Sequence, residues 1–190
     1  MNDTFFDDKE FTGINFTEEK FQKGEYDNCT FIKCNFKETD LTAVNFIECT
    51  FVDCDLSMAT VGDASFKNVE FDSCKLLGVQ FDKCNSFLLS ISFKKSILNF
   101  ASFYQLKLSQ VTFYDCSLEQ TDFTECKAQK LSFEMCSLKA AIFENTNLQE
   151  ANFRTAKNFS INPTRNNLKN AKFTTEGALQ LLDMFQISIG

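Results

Sequence analysis

Large apolar residues recur at every fifth position of this chain, each with a small residue two places before it. The series runs through Phe11, Phe16, Phe21, Tyr26 and Phe31 to Phe81, resumes two residues out of phase at Phe93, and continues to Phe153, with Leu168 and Phe173 as later members. Eighteen of the 24 Phe occupy these centres, so the period dominates the whole sequence. A period of five fits neither a helix at about 3.6 nor a strand at about 2. The pattern therefore predicts a repeat architecture, in which each unit buries its apolar residue against its neighbours.

A second period shows how the units group. Every fourth centre from Phe11 onward is Phe, through Phe31, Phe51, Phe71, Phe93 and Phe113 to Phe173, and the adjoining line from Leu56 through Leu76 and Leu98 to Leu138 is Leu. Like residues at a spacing of 20 imply like residues stacked along an axis. The expected fold is all-β: a four-sided coil of five-residue sides, about eight coils long, with stacked coils hydrogen-bonded as parallel strands. At about 4.8 Å per coil the rod spans roughly 38 Å. The chain divides into an N-terminal cap at 1–10, the coil at 11–173 and a tail at 174–190. The two-residue slip falls somewhere in 83–92. Pro163 stands at a centre and cannot donate to a ladder, so the coil should be irregular around 158–167.

The tail predicts a helix over 174–185, capped by Thr174 or Thr175, with Glu176 in its first turn. Ala178, Leu181, Leu182 and Phe185 share one face, and Ile187 and Ile189 then alternate like a strand. The tail covers the last coil, and Leu179, Leu181, Leu182, Met184, Phe185, Ile187 and Ile189 are candidates for a homodimer contact. Phe87, Leu88 and Leu89 crowd the slip and form a candidate contact bulge.

Chemistry narrows the function by subtraction. The chain has no His, which removes Ser-His-Asp triads, Cys-His pairs and imidazole metal sites. Neither dinucleotide nor P-loop glycine patterns occur. All nine Cys fall two residues before a centre register, in the slot that Ala, Val, Ser and Thr fill elsewhere, so they are expected to pack inside as free thiols. Paired carboxylates such as Asp53 and Asp55, or Asp7 and Asp8, flank inward residues and are read as a solvated face. A non-catalytic protein without cofactor or metal is expected. No 18-residue apolar run occurs, and the acidic start lacks the plan of a signal peptide, so a cytoplasmic location is expected.

Charge is uneven. Residues 11–90 carry 13 acids and 7 Lys, whereas residues 91–173 carry 7 acids and 11 bases. The acidic stretch spans about 19 Å, giving about one net negative charge per 3 Å against one per roughly 1.7 Å of duplex DNA. The total of −7 disfavours direct nucleic-acid binding by the whole molecule.

Over about residues 11–173 the five-residue pattern resembles the pentapeptide-repeat family, which implies a right-handed quadrilateral β-helix. Cys54-Asp55-Leu56-Ser57-Met58-Ala59 with Ala64-Ser65, and Phe46-Ile47-Glu48-Cys49-Thr50-Phe51, are similar to the Qnr-type quinolone-resistance branch. Ile161-Asn162-Pro163, Ala178-Leu179-x-Leu181-Leu182 and Ile187-Ser188-Ile189-Gly190 resemble the ends of immunity proteins against gyrase poisons. The resemblance implies a C-terminal homodimer that presents an acidic, DNA-like surface to DNA gyrase or topoisomerase IV. Two departures stand out: only a two-residue insertion replaces the longer Qnr loops, and the C-terminal half is basic. Outward acids expected at the partner are Glu48, Asp53, Asp55, Asp63, Glu70 and Asp72. The alternative is a general protein-interaction scaffold with another partner, gripped through Phe87–Leu89.

Overall fold

A computed structural model of the chain describes residues 4–187. The strands follow in order as β1 (Thr4–Asp7), β2 (Glu10–Thr12), β3 (Gly24–Asp27), β4 (Thr30–Ile32), β5 (Asn45–Ile47), β6 (Thr50–Val52), β7 (Ser65–Lys67), β8 (Val69–Asp72), β9 (Ile91–Lys94), β10 (Val111–Tyr114) and β11 (Phe133–Glu134). Among the described residues there is one α-helix, α1 (Thr175–Gln180), after the last coil. All pairings are parallel, and β1-β3-β5-β7 form one sheet while β2-β4-β6-β8-β9-β10-β11 form the other. Phe11 pairs Phe31, Phe31 pairs Phe51 and Phe51 pairs Phe71 at a spacing of 20, and Phe71 pairs Phe93 at 22. Single rungs such as Asn35 to Asp55 and Ser102 to Asp122 stitch the other two sides. The result is the expected four-sided parallel β-solenoid.

Four sides follow one another around each coil. The first carries the centres Phe6, Tyr26 and Phe46, the second Phe11, Phe31 and Phe51, the third Phe16, Phe36 and Leu56, and the fourth Phe21, Leu41 and Val61. Centres on the second side stack at 4.8 Å for Phe11–Phe31 and for Phe51–Phe71, and at 5.1 Å for Phe153–Phe173. A second stack on the fourth side, Phe81–Phe103–Phe123–Phe143, runs at 5.1–5.5 Å. The two stacks meet edge to face, as for Phe103 against Phe113 at 84°. The core is therefore an aromatic herringbone, in which offset stacks and T-contacts are both satisfied.

The corners carry a conformation that the five-residue period does not announce. At most corners the residue two past a centre sits at positive φ, as at Lys33 (53°), Glu48 (53°), Phe100 (63°) and Lys130 (62°). At many corners the centre carbonyl accepts the N–H three residues on, as from Ala59 to Leu56 and from Ala101 to Leu98 at 3.0 Å. Those are type II turns, which require φ > 0 at their third residue. The corner N–H donates to the next coil, as from Met58 to Leu77 O (2.8 Å) and from Phe100 to Glu119 O (3.0 Å). This inter-coil ladder fixes the corner whatever the side chain, which is why Lys, Glu, Met and Phe occur where Gly or Asn would be easier.

The N-terminal boundary differs from expectation. Thr4–Asp7 pairs with Gly24–Asp27 as a full rung, so residues 4–10 belong to the coil and not to a separate cap. Phe6, Phe11 and Phe16 are only partly buried there. In the irregular segment near Pro163 the Asn166 side chain bridges three backbone groups. Asn166 Nδ2 donates to Phe143 O (2.8 Å) and Asn162 O (2.9 Å), and its Oδ1 accepts from Thr146 N (2.9 Å). At about 1 kcal/mol per hydrogen bond, with more for partners left unpaired, Asn166→Ala should lower the unfolding free energy by about 3 kcal/mol. Asn166→Asp should cost at least as much, because a carboxylate cannot donate to two carbonyls. Urea titrations of both variants check this, and a loss below that of an ordinary surface substitution would refute the bridging role.

Candidate interaction surface

The register assigns each expected contact acid to a side. Glu70 and Asp72 flank Phe71 on the second side, Glu48 lies at the corner before that side and Asp53 at the corner after it. These four can face one partner. Asp55 turns onto the third side, and Asp63 sits at the corner diagonally opposite Asp53, so no flat surface reaches all six. Asp55 is also engaged locally, its Oδ1 accepting from Ser57 N (3.0 Å). Asp40 and Asp122 do the same for Thr42 (2.9 Å) and Thr124 (2.8 Å). These are Asx turns that shape the side. Asp53 and Asp55 therefore diverge on either side of inward Cys54 and do not form a carboxylate pair.

The acidic side is not uniformly negative. Lys94 Nζ lies 3.4 Å from Asp72, and Ser73 Oγ donates to the same carboxylate at 2.8 Å. The Ser73 hydrogen bond first, and the Lys94 charge with it, hold the Asp72 carboxyl below its ordinary value. Glu25 and Asp27, not among the expected contacts, flank Tyr26 on the first side beside Asp7. Their position one residue either side of a centre was the available signal.

The slip is now located. Ser65 pairs Asn85 and Val69 pairs Ile91, so the two extra residues lie within 86–90. Phe87 is 69% exposed and Leu88 63%, with Leu88 at φ 58°. Leu89, expected in the same bulge, is 6% exposed and fills the interior, so the bulge presents two apolar side chains and not three. Hydrophobicity alone could not separate Leu89 from its neighbours.

The tail helix is shorter than expected; Leu181 packs inward as expected, but Gly177 takes the buried place expected of Ala178, and Phe185 is exposed. Thr174 Oγ1 caps it by accepting from Gly177 N at 3.0 Å. Gly177 is buried against Phe159, and Leu181 packs on the core, whereas Ala178 is exposed. A Cβ at Gly177 would stand 3.1 Å from Phe159 Cζ, so any larger residue would require that ring to give by a few tenths of an ångström. The helix ends at Gln180 and a short 3-10 turn, Asp183–Phe185, follows. Leu179, Met184, Phe185 and Ile187 are exposed, Leu181 and Leu182 half-buried, and Ile189 lies outside the described residues.

The cysteines do more than fill space. Cys34, Cys54 and Cys74 each donate from Sγ to a centre carbonyl one coil earlier, Phe11, Phe31 and Phe51, at 3.3 Å. Ser96 continues the line to Phe71 O at 3.2 Å. On the fourth side Cys126 and Thr146 bond the carbonyls of Phe103 and Phe123 at 2.8 Å. All nine Cys are free and buried. Burial, the foremost cause, pushes the thiols of Cys49, Cys84 and Cys126 up to about 12.

Comparison with known proteins places this geometry. Residues 24–103 and 96–173 match the model of the pentapeptide repeat region. No curated protein sequence matches. Full-length QnrB1, described as a plasmid-mediated fluoroquinolone resistance protein, superposes with a TM-score of 0.53 at 16% identity, covering 97% of this chain and 100% of that one. HetL, a pentapeptide repeat protein involved in heterocyst differentiation regulation in the cyanobacterium Nostoc, gives 0.65 at 17% identity, covering 87% and 84%. Likeness at such identities speaks to fold alone.

Proposed function

The chain belongs to the pentapeptide-repeat family, and on that premise we propose that it is a non-catalytic DNA mimic that binds DNA gyrase or topoisomerase IV. In this reading it modulates the enzyme or protects it from quinolones or other gyrase poisons. The observation that carries the reading is the cluster of outward carboxylates Glu48, Asp53, Glu70 and Asp72 on two adjacent coils at one side of the solenoid. The acids fall on two adjacent rungs about 4.8 Å apart, with Lys33 one rung before and Lys94 and Lys95 one rung after, so the negative charge is concentrated in one patch of that side. The mechanism is competition: a rigid acidic rod occupies a basic DNA-binding surface, its backbone held by inter-coil hydrogen bonds so that little entropy is lost on docking. Such an association weakens with salt. The exposed Leu179, Met184, Phe185 and Ile187 of the tail would join two rods end to end.

Gyrase supercoiling, with and without a quinolone, tests the proposal across a titration of the protein. Expected is rescue at low dose and inhibition at high dose, both lost on Glu70→Lys with Asp72→Lys. A wild-type protein without effect on gyrase and topoisomerase IV would refute it. The scaffold reading is favoured by one observation, the exposed pair Phe87 and Leu88. It requires that capture of a partner survive charge reversal on the second side and fail with Phe87→Asp.

A further inference from the structure

The first side of the solenoid is divided by charge at its midpoint. Four rungs, centred on Phe6, Tyr26, Phe46 and Phe66, precede the 86–90 bulge. Four more, centred on Leu108, Ala128, Leu148 and Leu168, follow it. The outward positions before the bulge, with the corner after each rung, carry five carboxylates (Asp7, Asp8, Glu25, Asp27, Glu48) against Lys67 alone. Those after it carry Lys107, Lys127, Lys130 and Lys169 against Glu150 alone. Lys107 and Lys127 are adjacent in one ladder with no acid between them. At the boundary stand Phe87 and Leu88, the most exposed large apolar side chains of the described residues.

We propose that this side is a self-complementary interface on which a second copy of the chain packs antiparallel, about a two-fold axis through the bulge. The axis runs along the strands, so each rung before the bulge opposes the equally distant rung after it, and position along the strand is kept. Glu48, two past Phe46, then faces the partner's Lys130, two past Ala128. Asp7, one past Phe6, faces the partner's Lys169, one past Leu168. Lys67 faces the partner's Ser109, and Asp27 the partner's Gln149. None of the opposed positions pairs like charges. A parallel arrangement sets the acidic rungs on each other and is repelled. Phe87 and Leu88 meet their own copies on the axis, giving the apolar centre and polar rim of a specific interface. Leu88 takes the positive φ of the other corners and exposes its side chain beside Phe87. This contact is separate from the tail and shares only the corner residue Glu48 with the second-side acids, and the inference does not rest on the topoisomerase reading.

Sedimentation equilibrium of the full chain at low salt, up to high micromolar concentration, tests it. Expected is association to at least twice 21.7 kDa that dissociates as salt is raised. Phe87→Asp with Leu88→Asp should weaken it by at least about tenfold, as should Glu48→Lys or Lys130→Glu alone. The double variant Glu48→Lys/Lys130→Glu should restore association, which shows that the single variants were folded. Leu179→Glu in the tail should leave this dimer in place. A wild-type monomer throughout, a double swap that fails to restore, or a dimer abolished by Leu179→Glu but indifferent to Phe87 and Leu88 would each overturn the proposal. The supercoiling assay plays no part, so this proposal and the topoisomerase reading fail independently.

Discussion

Phe71→Ala should lower the unfolding free energy by about 3–5 kcal/mol, whereas Phe87→Ala should change it by less than about 0.5 kcal/mol. Both are phenylalanines, but Phe71 points inward and Phe87 outward. Phe71 is fully buried, stacks on Phe51 at 4.8 Å and on Phe93 at 5.4 Å, and touches Phe66 at 6.2 Å. Its removal cuts the continuous stack in two, forfeiting two ring–ring contacts worth about 0.5–1.5 kcal/mol each beyond the buried area. A solenoid relaxes poorly around such a gap, because both flanking coils are held by their own ladders and cannot collapse inward. Phe173→Ala should cost less than Phe71→Ala, since Phe173 is partly buried and has a single stacked neighbour among the centres, Phe153. Urea titrations followed by circular dichroism decide the matter. Equal losses at Phe71 and Phe87 would mean that the assignment of inside and outside is wrong.

The solenoid was legible because its period is enforced at every coil: a centre that faces outward would expose a large apolar ring and leave a void beside two others. The corners were not. Type II turns normally betray themselves by Gly or Asn at the residue with positive φ, but here Glu48, Met58, Phe100 and Lys130 take that place, since the N–H ladder to the next coil fixes the backbone. The turn signal lies elsewhere, in Asp55 and Asp122 one residue before a centre, whose carboxylates close Asx turns. Asp55 therefore reads as a contact acid in sequence and as a turn-former in structure. The bulge was bracketed to 83–92 but narrowed to 86–90 only through the pairings of Ser65 and Val69. The tail pattern favoured Ala178 as the buried position, and a helical wheel cannot see that Gly177 seats the helix on Phe159. Which side an acid occupies follows from counting by twenty; which side a partner uses does not.

Raising the pH should unfold the protein cooperatively near pH 10–11, below the point at which the buried thiols of Cys49, Cys84 and Cys126 would ionise in place. Cys49, Cys84 and Cys126 are held at about 12 by burial, while a thiol in the unfolded chain ionises near about 8.5. Between those values the unfolded state has lost protons that the folded state keeps, so stability falls as pH rises. Below about pH 8.5 these groups contribute no slope. Within the window each thiol costs about 1.4 kcal/mol per pH unit, and the three together about 4 kcal/mol per unit. Burial also raises the thiols of Cys29 and Cys34, which steepens the decline. Against a typical total of about 5–15 kcal/mol, two pH units are enough. Thiolate absorbance and far-ultraviolet circular dichroism should therefore change together in one transition. Cys126→Ser should move that transition to higher pH, because serine keeps the hydroxyl donor to Phe103 O, as Thr146 does to Phe123 O, and does not ionise in this range. Thiolate signal appearing near pH 8.5 with the circular dichroism intact would mean that the Cys slot is open to water. The inward ladder of thiol-to-carbonyl hydrogen bonds would then have to be abandoned.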